Sequence, residues 1–437
     1  MEPHRVHIIS REIIQPSSPN HLKNLELSYL DQLCPHLYFP LIFFYRAPDR
    51  VIPINGPFAQ PDDHSRMSRH LKQSLSRALV SFFPLPGRIL DDFTVKCNDT
   101  GVEFIDARAH SKLVEDIVRD PNDGVEELKA YLPVDPTIGG LDNGSALLLV
   151  QATFFDCGGV AVGMCFSHRV ADCASMMCFL RLWTAECRGK ISDEVVINFN
   201  LASCFPARDF SGLSLPRFPM SDDNFRTRRF VFDEGKLAAL RRAAANSAIV
   251  DPTRVELVSA YIWKVLIETA KSKNVEKRKV FAAFHAVNVR ARAGEPRLLL
   301  ENVFGNCIMS AMATTTSCDE EFHDLVAILR SKIKKVNQDY IRKARDSDGY
   351  LNELFELIAL LGKGELEYCR FSSWCQFPVY EEVDFGWGRP ALVCTTSLPL
   401  KNVIVLVRSR CGEGIEAWVN MSKDNLGVLE NKLSQLV

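Results

Sequence analysis

Two apolar segments that flank a glycine turn and then give way to a helical pattern constrain this chain more than any other feature. Ala146–Phe155 and Val160–Phe166 read as strands joined by Asp156-Cys-Gly-Gly159, a hairpin turn signal. From Ala174 to Cys187 the apolar spacing changes to the three-to-four period of a helix, which puts Asp172 at or near the helix N-terminus. His168 falls between the second strand and that helix, a position from which a side chain projects into a cleft. The fold class that accommodates this order is α/β, with sheets flanked by helices.

The rest of the chain keeps to the same scheme. Glu12-Ile-Ile-Gln-Pro-Ser-Ser-Pro19 ends a short strand in a proline-rich loop, and Leu27-Ser-Tyr-Leu-Asp31 leads toward the apolar segment Tyr38–Tyr45. Met67, Leu71, Leu75, Leu79 and Val80 recur at helical spacing between Ser65 and Phe83, and Pro84-Leu-Pro-Gly87 closes that helix. Val231–Ala244, Arg254–Lys271, Ser347–Leu361 and Lys423–Leu436 read as helices, and Val280–Val289 as a central strand. Gly189–Pro219 loses periodicity and gains Ser, Pro and Gly. A chain of 437 residues, 47% of them hydrophobic, has material for two large domains. The expected division is 1–188, a crossover linker 189–219, and 220–437, with part of 362–402 packing back on the first domain.

Charge and cysteine usage remove several classes of function. The net charge is only −2, so no global field draws nucleic acid or a membrane surface, and a polyanionic ligand needs a local basic cluster. The densest such clusters are Arg226, Arg228 and Arg229, and Arg254 with Lys264. Met1–Ser10 mixes charges into its apolar residues, unlike a signal peptide, and runs such as Ala146–Val150 fall short of a membrane span. Fourteen scattered cysteines with no C-x-x-C pair fit reduced thiols in a cytoplasmic protein. Gly412-Glu-Gly-Ile-Glu-Ala417 matches G-x-G-x-x-A but runs into Trp418-Val-Asn and not into a helix, and there is no Walker A loop, H-E-x-x-H or G-x-S-x-G. No metal site is expected, and Cys173 reads as a small thiol packed at a helix start.

A histidine is the natural base for deprotonating a hydroxyl near neutral pH, so His168 is the candidate catalytic residue. His285 lies inside the apolar strand and reads as a packed core histidine. Asp172 admits two readings: a dyad partner of His168, or an N-cap or salt-bridge residue of the following helix.

Phe166-Ser-His-Arg-Val-Ala-Asp172 is followed about two hundred residues later by Asp384-Phe-Gly-Trp-Gly388, shortly after Phe371–Tyr380. With these two motifs in this order, the chain resembles the plant BAHD acyl-CoA-dependent acyltransferases nearly end to end. Gln15–Pro19, Leu27–Gln32, Pro252–Glu256 and Ser372–Cys375 resemble the alkaloid-acetylating branch of that family; many members have glycine where this chain has Cys173. The resemblance implies two similar-sized domains of the chloramphenicol-acetyltransferase kind, with mixed sheets and a central solvent channel. It further implies a monomer without metal or bound cofactor, with acyl-CoA and a small-molecule alcohol, an indole-type alkaloid, as substrates and acetyl-CoA as the default donor. His168 would be general base in a direct attack without an acyl-enzyme. Asp172 would be structural and pair with Arg290 of Asn288-Val-Arg290, Asn306 would orient His168, and Trp374 would contact the oxyanion or the channel. Ser259 would lie on the coenzyme path, and Asp384, Phe385, Gly386, Trp387 and Gly388 would form a structural turn.

The donor has a second candidate. Period-two alternation puts Ile404, Leu406, Arg408 and Arg410 on one strand face, and a guanidinium there suits the free carboxylate of a malonyl group from malonyl-CoA. A reading of another class is a non-catalytic acyl-CoA or metabolite-binding protein on the same fold.

Overall fold

The computed structural model describes residues 6–21, 24–47, 64–110, 117–118, 125–137, 141, 143–190, 196–210, 218–245, 251–272, 279–293 and 302–436. The chain divides into two units. The first holds Met1–Ala207, Asn302–Asn306 and Phe377–Ser397, and the second Arg208–Glu301, Cys307–Gln376 and Leu398–Val437. The first passage from one to the other falls between Ala207 and Arg208, within the stretch that loses periodicity; its residues 191–195 and 211–217 lie outside the described ones.

The first unit carries β1 (Val6–Ile14), β2 (Asn24–Glu26), β3 (Tyr38–Tyr45), β4 (Arg88–Ile89), β5 (Thr94–Lys96), β6 (Val102–Ala109), β7 (Leu148–Phe155) and β8 (Val160–Ser167). Its main sheet runs in the order β1-β6-β7-β8-β3, with the short strand Leu392–Cys394 beyond β3, and β2, β5 and β4 form a small separate sheet. β7 and β8 are buried along their whole length, which is why both read as continuous apolar runs and not as alternating ones. They zip antiparallel from Leu148 opposite Phe166 to Phe154 opposite Val160. Gly163 at the centre of β8 is required by close approach, since a Cβ there would sit 1.9 Å from the Tyr131 carbonyl oxygen.

Three helices matter here: α1 (Tyr29–Gln32), α2 (His64–Ser81) and α3 (Cys173–Cys187). α2 buries Leu71, Leu75, Ala78 and Leu79 and packs against α3, where the Trp183 indole N–H donates to Ser74 Oγ at 3.1 Å. Val80, grouped by spacing with the apolar stripe, is 39% exposed, because adjacent helical residues point about 100° apart.

The second unit holds β9 (Phe225–Phe232), β10 (Val280–Asn288), β11 (Ile308–Thr315), β12 (Leu366–Ser373), β14 (Val403–Arg408) and β15 (Ile415–Ser422), with Leu392–Cys394 of the first unit counted as β13. The sheet order is β11-β10-β12-β14-β15-β9, parallel at β10/β12 and β12/β14 and antiparallel elsewhere. α4 (Arg254–Ser272), α5 (Phe322–Lys335) and α6 (Lys423–Ser434) bury Trp263, Leu266, Leu329 and Leu429 in one core with Phe281, Phe371, Ile404 and Val419 of the sheet. Mixed sheets covered by helices make the fold α/β.

Two sequence expectations need correction. The helix read over Val231–Ala244 begins at Glu234: Val231 and Phe232 end β9, and Asp233 caps the helix by accepting from the Lys236 N–H. Arg410 lies past the end of β14 in an exposed turn, so it does not share a strand face with Arg408. Gly412–Ala417 turns into β15 and offers no helix N-terminus to a dinucleotide. No helix among the described residues is long and apolar enough to cross a membrane.

Candidate active site

His168 follows β8 directly, and its backbone N–H donates to the Leu37 carbonyl at 2.9 Å. That bond continues the β3/β8 ladder past the strand end and holds His168 at the end of a central strand. Phe39 meets the ring edge-on at 5.3 Å between centroids and is itself stacked on Phe166. His168 is half-buried.

Its Nδ1 lies 3.1 Å from Asn306 Oδ1. Asn306 is fully buried, and its Nδ2 donates to the His168 carbonyl at 2.8 Å and to Asp31 Oδ1 at 3.0 Å. Both of those partners are acceptors, so the amide has one satisfying orientation; turning it over would press an oxygen against two oxygens. Asn306 Oδ1 therefore faces Nδ1 as an acceptor. With the amide in this orientation, a neutral His168 ring places its proton on Nδ1 and its lone pair on Nε2.

The segment 302–306 is held in the first unit by Gly305, whose backbone N–H donates to Ser175 Oγ at 3.0 Å while that hydroxyl donates to the Gly305 carbonyl at 2.8 Å. Gly305 has φ +134°, and a Cβ there would meet Leu201 Cδ2 at 2.6 Å, so glycine lets Asn306 reach Asp31. Asp31 stands at the third position of α1, where Ser28 and Asp31 form a reciprocal capping box. Burial pushes the Asp31 carboxyl above the usual carboxylate range, against the pull of hydrogen bonds from Ser28 and Asn306. The spacing Ser28-Tyr-Leu-Asp31 was a readable capping signal, but nothing in it pointed to Asn306.

Asp172 is the N-cap of α3, with extended backbone, and its Oδ1 accepts from the Ser175 N–H at 2.9 Å. His168 and Asp172 both precede the helix, so the one-face geometry of an i,i+4 pair does not apply to them. Asp384 closes its own turn: Oδ1 accepts from the N–H groups of Gly386 at 2.7 Å and Gly388 at 2.9 Å, both glycines having positive φ. Phe385 packs on Trp183 at 4.8 Å and Trp387 on Tyr45 at 5.3 Å, so the motif anchors residues 377–397 on α3 and β3.

Other predicted site residues belong to the second unit. Arg290 is buried at the start of a short 3-10 turn, and its Nη1 donates to Asn288 Oδ1 at 3.3 Å. Trp374 is buried, and its indole N–H donates to Ser372 Oγ at 3.1 Å. Ser259 Oγ is fully buried on α4 and has no hydrogen-bond partner among the described residues. His285 is a core residue stacked on Phe371, and burial lowers its pKa to about 4. Arg408 is half-buried at the end of β14, and with Arg254 it draws down a Cys375 thiol that burial raises. The basic candidates for coenzyme phosphates are engaged by protein partners. Arg228 pairs with Glu430 at 2.6 Å and Arg229 with Glu416 at 2.7 Å, and Arg226, Arg254 and Lys264 donate to backbone carbonyls.

Layered α/β units carrying a histidine at a strand end and a self-capped Asp-Phe-Gly-Trp-Gly turn bear both motifs on which the chain resembles the acyltransferases. The model of the transferase family matches residues 4–436. Stemmadenine O-acetyltransferase of Catharanthus roseus is 38% identical over 99% of this chain and 98% of its own length. Vinorine synthase of Rauvolfia serpentina is 37% identical over 98% of this chain and 97% of its own length. The crystal structure of vinorine synthase superposes with a TM-score of 0.83 at 36% identity, covering 99% of this chain and 98% of that one. The chain belongs to this transferase family, the BAHD acyltransferases, and is an acyl-CoA-dependent O-acyltransferase.

Proposed function

We propose that the protein transfers an acetyl group from acetyl-CoA to a hydroxyl of an indole-type alkaloid, with His168 as general base. The observation that carries this reading is the committed Asn306 amide, which leaves the basic lone pair of His168 on Nε2. Nε2 takes the acceptor's hydroxyl proton as its oxygen bonds to the thioester carbonyl carbon. The tetrahedral intermediate then expels the coenzyme A thiolate, which recovers the proton from the imidazolium. Ester and free thiol are the products, and no acyl-enzyme forms.

The acceptor class is supported by the relatives: those at 37–38% identity are named for alkaloid chemistry, while the limonoid O-acetyltransferases of Citrus sinensis stand at 34%. Asp172 and Arg290 enter the proposal as a buried ion pair that holds the base of α3, Trp374 as a channel contact and Ser259 as part of the coenzyme path. The proposal includes a cytoplasmic monomer; buried thiols such as Cys165 and Cys369, whose ionisation burial suppresses, suit a reducing compartment. A malonyl donor is the second reading. It is favoured by Arg408, half-buried on the face that Ile404 and Leu406 share.

Incubation with acetyl-CoA and a panel of indole-alkaloid and limonoid alcohols, followed by thiol release and product mass spectrometry, tests the reading. An acetylated alkaloid is expected. Acetylation of limonoids alone would overturn the acceptor class, and binding without thiol release would leave a non-catalytic protein.

A further inference from the structure

We propose that Asp31 is a positioning residue for the acyl transfer, acting through Asn306 to hold His168 in the Nδ1–H tautomer. The inference rests on the reading of His168 as general base and adds a residue to it.

The two oxygens of Asp31 do different jobs. Oδ2 accepts from the Ser28 N–H at 2.9 Å and from Ser28 Oγ at 2.6 Å, closing the cap of α1. Oδ1 accepts from the Asn306 N–H at 2.7 Å and from Asn306 Nδ2 at 3.0 Å. Four donors converge on one carboxylate that is 3% exposed, between Ser28 and Asn306, which are both fully buried. A four-residue helix needs no such arrangement for its cap, since Oδ2 alone serves Ser28. Among the described residues Oδ1 accepts from Asn306 alone, and Asn306 faces His168 with both its side-chain oxygen and its amide nitrogen.

This chain of contacts decides the tautomer. With an Asp31 oxygen already accepting from the Asn306 backbone N–H, the Asn306 amide keeps Nδ2 toward Asp31 and Oδ1 toward the imidazole. If the amide turns over, Nδ2 faces Nδ1 of His168, which must then accept; the proton moves to Nε2, and the lone pair needed for the hydroxyl is gone. Asp31 takes no proton in this account, since an amide stands between it and the imidazole. Its role is to make one orientation of Asn306 the stable one.

The test compares Asp31→Asn with Ser28→Ala in protein labelled with 15N-histidine, the His168 resonances being assigned by their loss in His168→Ala. Wild type and Ser28→Ala should show protonated Nδ1 and unprotonated Nε2. In Asp31→Asn a neutral amide holds Asn306 less firmly, and an Nε2–H population should appear. With an acceptor identified by the product screen, kcat should fall about 10- to 100-fold, the range known for partners that orient metal-bound histidines, with KM for acetyl-CoA unchanged. Ser28→Ala should lose stability and keep kcat. An unchanged tautomer in Asp31→Asn overturns the proposal, as does a kcat loss of equal size in Ser28→Ala. Failure of both Asp31→Asn and Asp31→Glu to fold would make Asp31 purely structural and also overturn it. Full activity in His168→Ala would instead remove the base itself, whatever the tautomer result.

Discussion

Substituting Asp172 separates capping, ion pairing and catalysis. Its carboxylate is 3% exposed and accepts from the Ser175 N–H at 2.9 Å, which makes it the N-cap of a helix whose Trp183 and Phe179 are fully buried. Losing an N-cap acceptor costs about 1 kcal/mol. Asparagine keeps that acceptor and removes the charge. If Asp172 pairs with Arg290, which is 7% exposed, Asp172→Asn strands a buried guanidinium at about 3–5 kcal/mol. Asp172→Ala then loses the cap as well, so it should exceed Asp172→Asn by about 1 kcal/mol. Urea denaturation at pH 7, read on the first transition because two units do not guarantee a two-state process, measures both differences. In a double-mutant cycle, Asp172→Asn and Arg290→Met should be non-additive by about 1 kcal/mol or more. An Asp172→Asn protein as stable as wild type but without turnover would refute the pairing and restore the catalytic dyad.

Two further outcomes are expected. His285 is buried and its pKa is lowered to about 4, so the unfolded chain binds a proton there at pH values where the folded chain does not. Stability contributed at that site is complete above about pH 6.5 and is lost as the pH falls toward 4, by about 3 kcal/mol in all; His285→Leu should flatten this part of the acid-denaturation curve, and an unchanged curve would contradict it. Under the malonyl reading, Arg408→Phe should lower use of malonyl-CoA about 10- to 100-fold relative to acetyl-CoA, the worth of one hydrogen bond to a charged group. A wild-type enzyme that ignores malonyl-CoA would retire Arg408 as a donor selector.

What could be read from the sequence was local. The hairpin β7–β8, the capped helix α3 and the position of His168 between them lie within about forty residues, and each is written in periodicity and turn chemistry. The misplaced start of the 234–243 helix has the same origin: Phe230-Val-Phe232 is apolar enough to extend either element, and only Asp233 marks the boundary. Asn306 was reached through family resemblance alone. Asp31 was not reached at all, because its partner lies 275 residues away and the contact depends on Gly305 accepting a conformation closed to other residues. The arginines of β9 drew attention by density, yet the register that sets Arg229 beside Glu416 on neighbouring strands has no local signature.

In the proposed mechanism His168 removes the acceptor's proton. The most direct measurement is kcat for coenzyme A thiol release by His168→Ala, beside its melting temperature, with acetyl-CoA and the alcohol found in the product screen. The account predicts a fall of about 10²- to 10⁴-fold at a nearly unchanged melting temperature, because a half-buried side chain at a strand end is lost without emptying a core. Retention of more than about a tenth of wild-type kcat would contradict it.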